Sequence, residues 1–268
     1  MRLIALAPIL ALCAGLTVPA TVMAQTAPSD THAGHGAREG LAMQPPAPSE
    51  DAALAAAIAS DTRPEADRAR DVYRRPYESL TFWGLRPELT VVEIEPGRAG
   101  WWTGILQPYA AATGGTYVAV NRPLESMGVE PGTADLVLTA RGFHNWARGG
   151  RTEAYLAAFF AALKPGGILA VEQHRSVDGL NVADTAPTGY VPESYVIKAA
   201  QAAGFVLDGR SELNANPADD RDHPFGVWTL PPVRRDSQDG RTLTPEERAT
   251  YDAIGESDRM TLRFRKPE

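Results

Sequence analysis

Leu89-Thr90-Val91-Val92-Glu93-Ile94-Glu95-Pro96-Gly97-Arg98-Ala99-Gly100 decides the fold. Its first half is a short apolar run rich in β-branched residues and bounded by turn formers, the pattern of a strand buried on both faces. Gly97 to Gly100 make a turn, and Trp101 to Ala112 reads as the helix that follows. Glycine in such a turn lets the backbone approach a ligand closely, and the helix start offers unpaired N–H groups to polar or anionic atoms. Further along, Tyr117 to Val120 and Ala134 to Ala140 read as strands, Thr152 to Leu163 as an Ala-rich helix, and Ile168 to Glu172 as the strand after Lys164-Pro165-Gly166-Gly167. A helix over Glu193 to Ala203, stopped by Gly204, leads into a strand at Phe205 to Leu207, and Met260 to Arg265 is the last strand. Strands alternating with helices of this length imply right-handed crossovers and a mostly parallel α/β sheet with helices on both faces.

Upstream of this block, Arg2 precedes an apolar run from Leu3 to Val18, and small residues end at Val22-Met23-Ala24. That is the layout of a cleavable secretory signal over residues 1–24, too short and too broken by Gly15 and Pro19 for a membrane span. A periplasmic or secreted chain with no stable membrane insertion follows from it. Residues 25–49 are rich in Ala, Pro, Ser, Thr and Gly and read as a flexible linker in which His32 and His35 are solvated polar residues. Residues 50–268 form one domain. Its helices begin at Ser49, a candidate cap for Ala52 to Ala59, and continue over Pro64 to Tyr73. Cys13 is the single cysteine and lies within the signal, so the mature chain has no thiol for disulfides or thiolate metal sites. A net charge of -7 without a Lys/Arg cluster argues against nucleic acid as a partner.

Between residues 208 and 259 the chain is rich in Pro, Asp and Arg, too long for an ordinary loop, and should be partly structured and lie over the domain. Thr244-Pro245-Glu246-Glu247 starts a helix within it. Near its middle, Asp219-Asp220-Arg221-Asp222-His223 reads as a solvated acid-rich turn rather than a cation site, and no metal is expected.

The turn at Glu93-Ile94-Glu95-Pro96-Gly97-Arg98-Ala99-Gly100, together with Leu163-Lys164-Pro165-Gly166-Gly167-Ile168, resembles the class I S-adenosylmethionine-dependent methyltransferases. Glu93 stands at the family's acidic position and Gly97 at its middle glycine, while Glu95 and Ala99 replace the other two. Arg70-Asp71-Val72-Tyr73-Arg74-Arg75-Pro76, Phe82-Trp83-Gly84-Leu85, Arg141-Gly142-Phe143-His144-Asn145-Trp146, Glu172-Gln173-His174-Arg175 and Leu262-Arg263-Phe264-Arg265 are similar to an exported, periplasmic bacterial subgroup. The resemblance implies a Rossmann-like sheet with an antiparallel last strand, S-adenosylmethionine as cofactor, and methyl transfer to a small acceptor whose identity is open. It implies cofactor contacts at Glu93, Pro96, Gly97, Gly100, Asn121 and Arg141.

Two departures bear on activity. Asn121 ends the second strand where the family has an acid, and only about fourteen residues separate it from Asp135, so the third strand is shortened or missing. The implied strand order brings Glu93, Arg141, His144, Asn145, Glu172, His174 and Arg175 to one crevice, with His144, Asn145 and His174 as candidate catalytic residues and His144 the preferred base. The alternative is a degenerate, non-catalytic Rossmann-like binding or scaffold protein. A nicotinamide oxidoreductase fits less well, because the turn lacks Gly-x-Gly-x-x-Gly spacing.

Overall fold

A computed structural model of the protein describes residues 51–268. The stretch read as a signal (1–24), the whole of the expected linker (25–49) and with it Ser49 lie outside the described residues. In chain order come α1 (Ala52–Ala59), α2 (Glu65–Arg68), α3 (Asp71–Arg74), α4 (Pro76–Phe82), β1 (Thr90–Ile94), α5 (Thr103–Thr113) and β2 (Thr116–Val120). Then follow β3 (Ala134–Ala140), α6 (Phe143–Arg148), α7 (Thr152–Ala162), β4 (Leu163–Ser176), α8 (Val182–Thr185), β5 (Val191–Pro192), α9 (Glu193–Ala202) and β6 (Val206–Ser211). A hairpin of β7 (Ser237–Gln238) and β8 (Arg241–Thr242), helix α10 (Pro245–Ile254) and β9 (Arg259–Arg265) complete it.

The main sheet runs β2-β1-β3-β4-β9-β6, with β5 beside the end of β4. Pairs among β1, β2, β3 and β4 are parallel, and β9 lies antiparallel between β4 and β6. This is the Rossmann-like architecture expected, including the antiparallel last strand. Residues 121–133 hold only turns, so the sheet ends at β2 and the third strand is missing.

Alternation along the strands splits the core into two layers. Val92 and Ile94 join Val137, Leu169, Val171 and Phe264 under α7 and α9, while Val91 joins Leu136, Leu138, Ala170, Trp83 and Trp102 under α1, α4 and α5. Each fully buried large apolar side chain contributes about 1.5–3 kcal/mol, so the two layers dominate the stability. Among the described residues no helix is long and apolar enough to cross a membrane.

Several local expectations need correction. The cap of α1 is Asp51, whose carboxylate accepts the Leu54 N–H at 3.0 Å, and not Ser49. Pro64 to Tyr73 is two short helices, and a third begins at Pro76, because the residue before a proline is forced out of the helical region. That residue, Arg75, sits at φ 41° and joins α3 to α4. Strand β4 is much longer than Ile168 to Glu172, since β9 and β5 give its far end partners: Gln173 pairs with Met260, His174 with Arg259, Arg175 with Val191. The connection from residue 212 to 258 is structured, as expected, and Thr244 caps α10 in a reciprocal capping box with Glu247.

Candidate functional site

Parallel register aligns the carboxyl ends of the strands: Ile94 pairs with Val120 and with Thr139, and Ala140 with Glu172. The next residues, Glu95 and Arg141, both turn out of their strands at positive φ, 49° and 58°. Non-glycine residues pay for that conformation and hold it only where the surroundings insist. Above them lies a cavity of about 260 Å3 lined by Pro96 and Ala99 after β1, Arg141 and His144 after β3, and His174 on β4. Arg70, Arg74 and Trp101 wall one side; Val227, Trp228 and Pro231 to Val233 roof it; Glu256 and Ser257 close it from the approach to β9.

The two histidines meet there with ring centres 6.2 Å apart. His174 Nδ1 bonds to the Ser257 hydroxyl at 2.6 Å, and His144 Nδ1 receives a long contact, 3.5 Å, from the Gln173 amide. Gln173 is itself pinned, accepting the Phe143 N–H and donating to the Gly189 carbonyl. Neither Nε2 has a hydrogen-bond partner among the described residues. Burial lowers the His144 pKa to about 4, and burial followed by the charges of His144, Arg259 and Arg141 lowers that of His174 well below the usual range. Both imidazoles are therefore neutral at neutral pH and able to accept a proton.

Around them is a dense ionic cluster. Glu256 takes Arg70 Nε at 2.6 Å, Arg74 Nε at 3.1 Å and Arg259 Nη1, and Arg259 Nε lies 2.9 Å from Glu172. Glu172 also accepts the Trp102 indole N–H. Arg74 stacks on Trp101, 4.7 Å from the ring centre.

Some expected residues fall elsewhere. Glu93 points to the other face of β1, where it accepts the hydroxyls of Thr103 and Tyr117, and burial raises its pKa. Asn145 turns its amide to Arg148 rather than into the cavity. Arg175 is consumed by Asp258, Glu193 and Glu212. Gly97, Gly100 and Asn121 are absent from the cavity wall, and Asn121 is exposed. Gly97, at φ 70° with nothing within 4 Å of a built side chain, remains an open turn suited to close approach of a cofactor. Gly100 lies three residues before α5 and accepts the Gly104 N–H.

Glu95 does not suit the usual cofactor cleft. Its carboxylate accepts the Trp146 indole N–H at 3.0 Å and the Tyr155 hydroxyl at 2.9 Å, bridging the end of β1 to α6 and α7 across the β1–β3 switch point. A glycine at that position would leave this space empty.

The acid-rich turn at 219–223 is solvated only in part: Asp220 and Asp222 are exposed, as expected, whereas Asp219 and His223 are buried. Asp219 accepts hydrogen bonds from the Tyr190 hydroxyl, His223 Nε2 and the N–H groups of Arg221 and Asp258. It knots the roof to the base of β9.

Sequence reading missed Arg70, Arg74, Trp228, Glu256 and Ser257 as members of the site. The first two lay in a stretch used only as a family marker. The others reach the site through contacts across as many as 186 positions, which no local pattern reveals.

No family profile and no curated protein matches the chain. Similar solved structures include a chain of the complex between a Haloferax volcanii methyltransferase activator and a methyltransferase, 14% identical over 81% of this chain and 98% of that one, TM-score 0.44. A SAM-dependent methyltransferase of Aquifex aeolicus is 16% identical over 54% of this chain and 86% of its own, TM-score 0.40. The phosphoethanolamine N-methyltransferase 2 of Haemonchus contortus, in complex with S-adenosyl-L-methionine, is 15% identical over 73% of this chain and 53% of its own, TM-score 0.42. Overlaps this loose describe those proteins, and nothing about the chemistry of this one follows from them.

Proposed function

We propose that the chain is an exported class I methyltransferase that uses S-adenosylmethionine to methylate a small acceptor seated beside Arg141, His144 and His174. The observation that carries this reading is the position of the cavity at the carboxyl ends of β1, β3 and β4, where an open parallel sheet receives its ligands. The cofactor, when bound, supplies the methyl group; the Gly97 turn, the start of α5 and Asn121 are the residues that would hold it. The protein's own part is positioning first: Trp228 and Pro231 to Val233 keep water from the acceptor, and Arg141 orients it. Neutral His144 or His174 then takes up a proton at Nε2 if the acceptor must lose one.

A second reading, a non-catalytic binding protein on the same fold, is favoured by Glu95, which fills the cleft between β1 and α6, and by the missing strand beside β2. Titration calorimetry of the mature chain with S-adenosylmethionine separates the two. Saturable binding is expected, weakened about a hundredfold or more in Gly97→Val, with an unchanged far-UV circular dichroism spectrum, since a branched side chain pushes the backbone away from whatever lies over the turn. No heat with the parent protein would remove the methyltransferase and leave the binding protein.

A further inference from the structure

The arginines around the cavity are not equally satisfied. Arg70 and Arg259 are engaged by Glu256, by Glu172 and by the Tyr73 carbonyl. Arg74 uses its Nε on Glu256 and leaves a buried Nη1 with no partner. Among the described residues the guanidinium of Arg141 makes no hydrogen bond and no ion pair, and its Nη1 is fully buried. Four guanidiniums, Arg70, Arg74, Arg141 and Arg259, face two carboxylates, Glu172 and Glu256, which leaves two positive charges over. Counting Glu93 behind Arg141 still leaves one. Nothing else in the wall supplies a negative charge, for His144 and His174 are neutral, Ser257 is taken by His174, and the roof is apolar apart from the Trp228 ring edge. Burial alone already pushes Arg141 below the usual arginine range.

A buried cation without a counter-charge is costly, and proteins keep one where a ligand completes the pair. Two guanidiniums with unsatisfied donors, Arg74 and Arg141, line one cavity, and a guanidinium binds a carboxylate with charge-assisted hydrogen bonds. The volume, just under the roughly 300–1,000 Å3 of larger ligand pockets, limits the molecule to a small one.

We infer that Arg141, with Arg74, binds the carboxylate of a small organic acid, and that this acid is the molecule on which the cavity acts. The inference rests on the reading above only in taking the acid as the acceptor. A carboxylate could also come from the amino-acid end of S-adenosylmethionine, and the test distinguishes the two sources.

The mature chain is titrated with acetate, pyruvate and benzoate, and with benzamide as the uncharged counterpart of benzoate, in parallel with thermal melts. At least one acid should bind and raise the melting temperature, and benzamide should bind about tenfold or more weakly than benzoate. In Arg141→Met the acid should lose about ten- to hundredfold in affinity, while the ligand-free melting temperature holds or rises because an unpaired buried charge has gone. Competition between benzoate and S-adenosylmethionine, without competition from 5′-methylthioadenosine, would assign the carboxylate to the cofactor and keep the role of Arg141. Acid binding with no cofactor binding would keep the inference and sink methyl transfer. Absence of binding by all three acids at millimolar concentration, equal binding of benzoate and benzamide, or a ligand-free melting temperature that falls steeply in Arg141→Met would overturn it.

Discussion

His144, from α6 just after β3, and His174, from β4, reach the cavity and stay uncharged, which makes them useful as proton acceptors and expensive in acid. The His144 pKa is about 4 in the folded chain and about 6.5 in an unfolded one. Between those values the unfolded chain binds more protons, so stability rises with pH across the window and is lost as pH falls through it. The change for this one residue, 5% exposed, is on the order of 3 kcal/mol, and His174 acts in the same direction. His144→Gln should therefore flatten the dependence of the urea midpoint between about pH 4.5 and 6.5 while changing it little at pH 7.5. A variant as acid-sensitive as the parent would mean that His144 does not carry the effect. Glu95 shows the opposite economy: a charged residue in a conformation that favours glycine, kept by two hydrogen bonds that tie three elements together.

At the scale of elements, the roof of the cavity depends on a close backbone contact. Gly226, at φ 58°, begins the short 3-10 turn Gly226–Thr229, and a side chain there would press into the Thr188 carbonyl, inside van der Waals distance. Gly226→Ala should displace Trp228 and Val227, weaken ligand binding at least tenfold, and leave the hydrogen-exchange protection of β1, β3 and β4 intact. Loss of protection across the sheet would instead make the roof part of the folding core. How much of this was legible in the sequence follows from the range of the forces involved. The strands were readable because β-branched runs and turn formers are local signals, and with them came Arg141, His144 and His174, which sit one to four positions from strand ends. Helix α6 was not, since Gly142 at its start offers no side-chain cap and six residues show no periodicity. Nor was the break at Arg75, although Pro76 marked it. Arg70, Arg74 and Glu256 became a site only through tertiary contact, and Glu93 and Asn145 were drawn off by nearby hydrogen-bond partners that no spacing rule foretells.

As a whole molecule the chain is a two-layered sheet domain behind a stretch that reads as a secretory leader. The exported product should begin at Gln25, which an intact mass of protein recovered from the periplasm would establish; a full-length precursor in the membrane fraction would count against cleavage. One feature of the topology reaches into how the protein is made. Strand β9 lies between β4 and β6 although it comes after both in the chain. Strand β6 has no neighbour in the main sheet until residues 259–265 exist, and Glu256 and Ser257 arrive with them. A polypeptide emerging from its amino end can complete neither the sheet nor the cavity before residues 256–265 have been made, because the pairings that complete both have long sequence separation. Until then it is unfinished, and when Arg259 pairs with His174 the sheet and the cavity wall are completed in the same act.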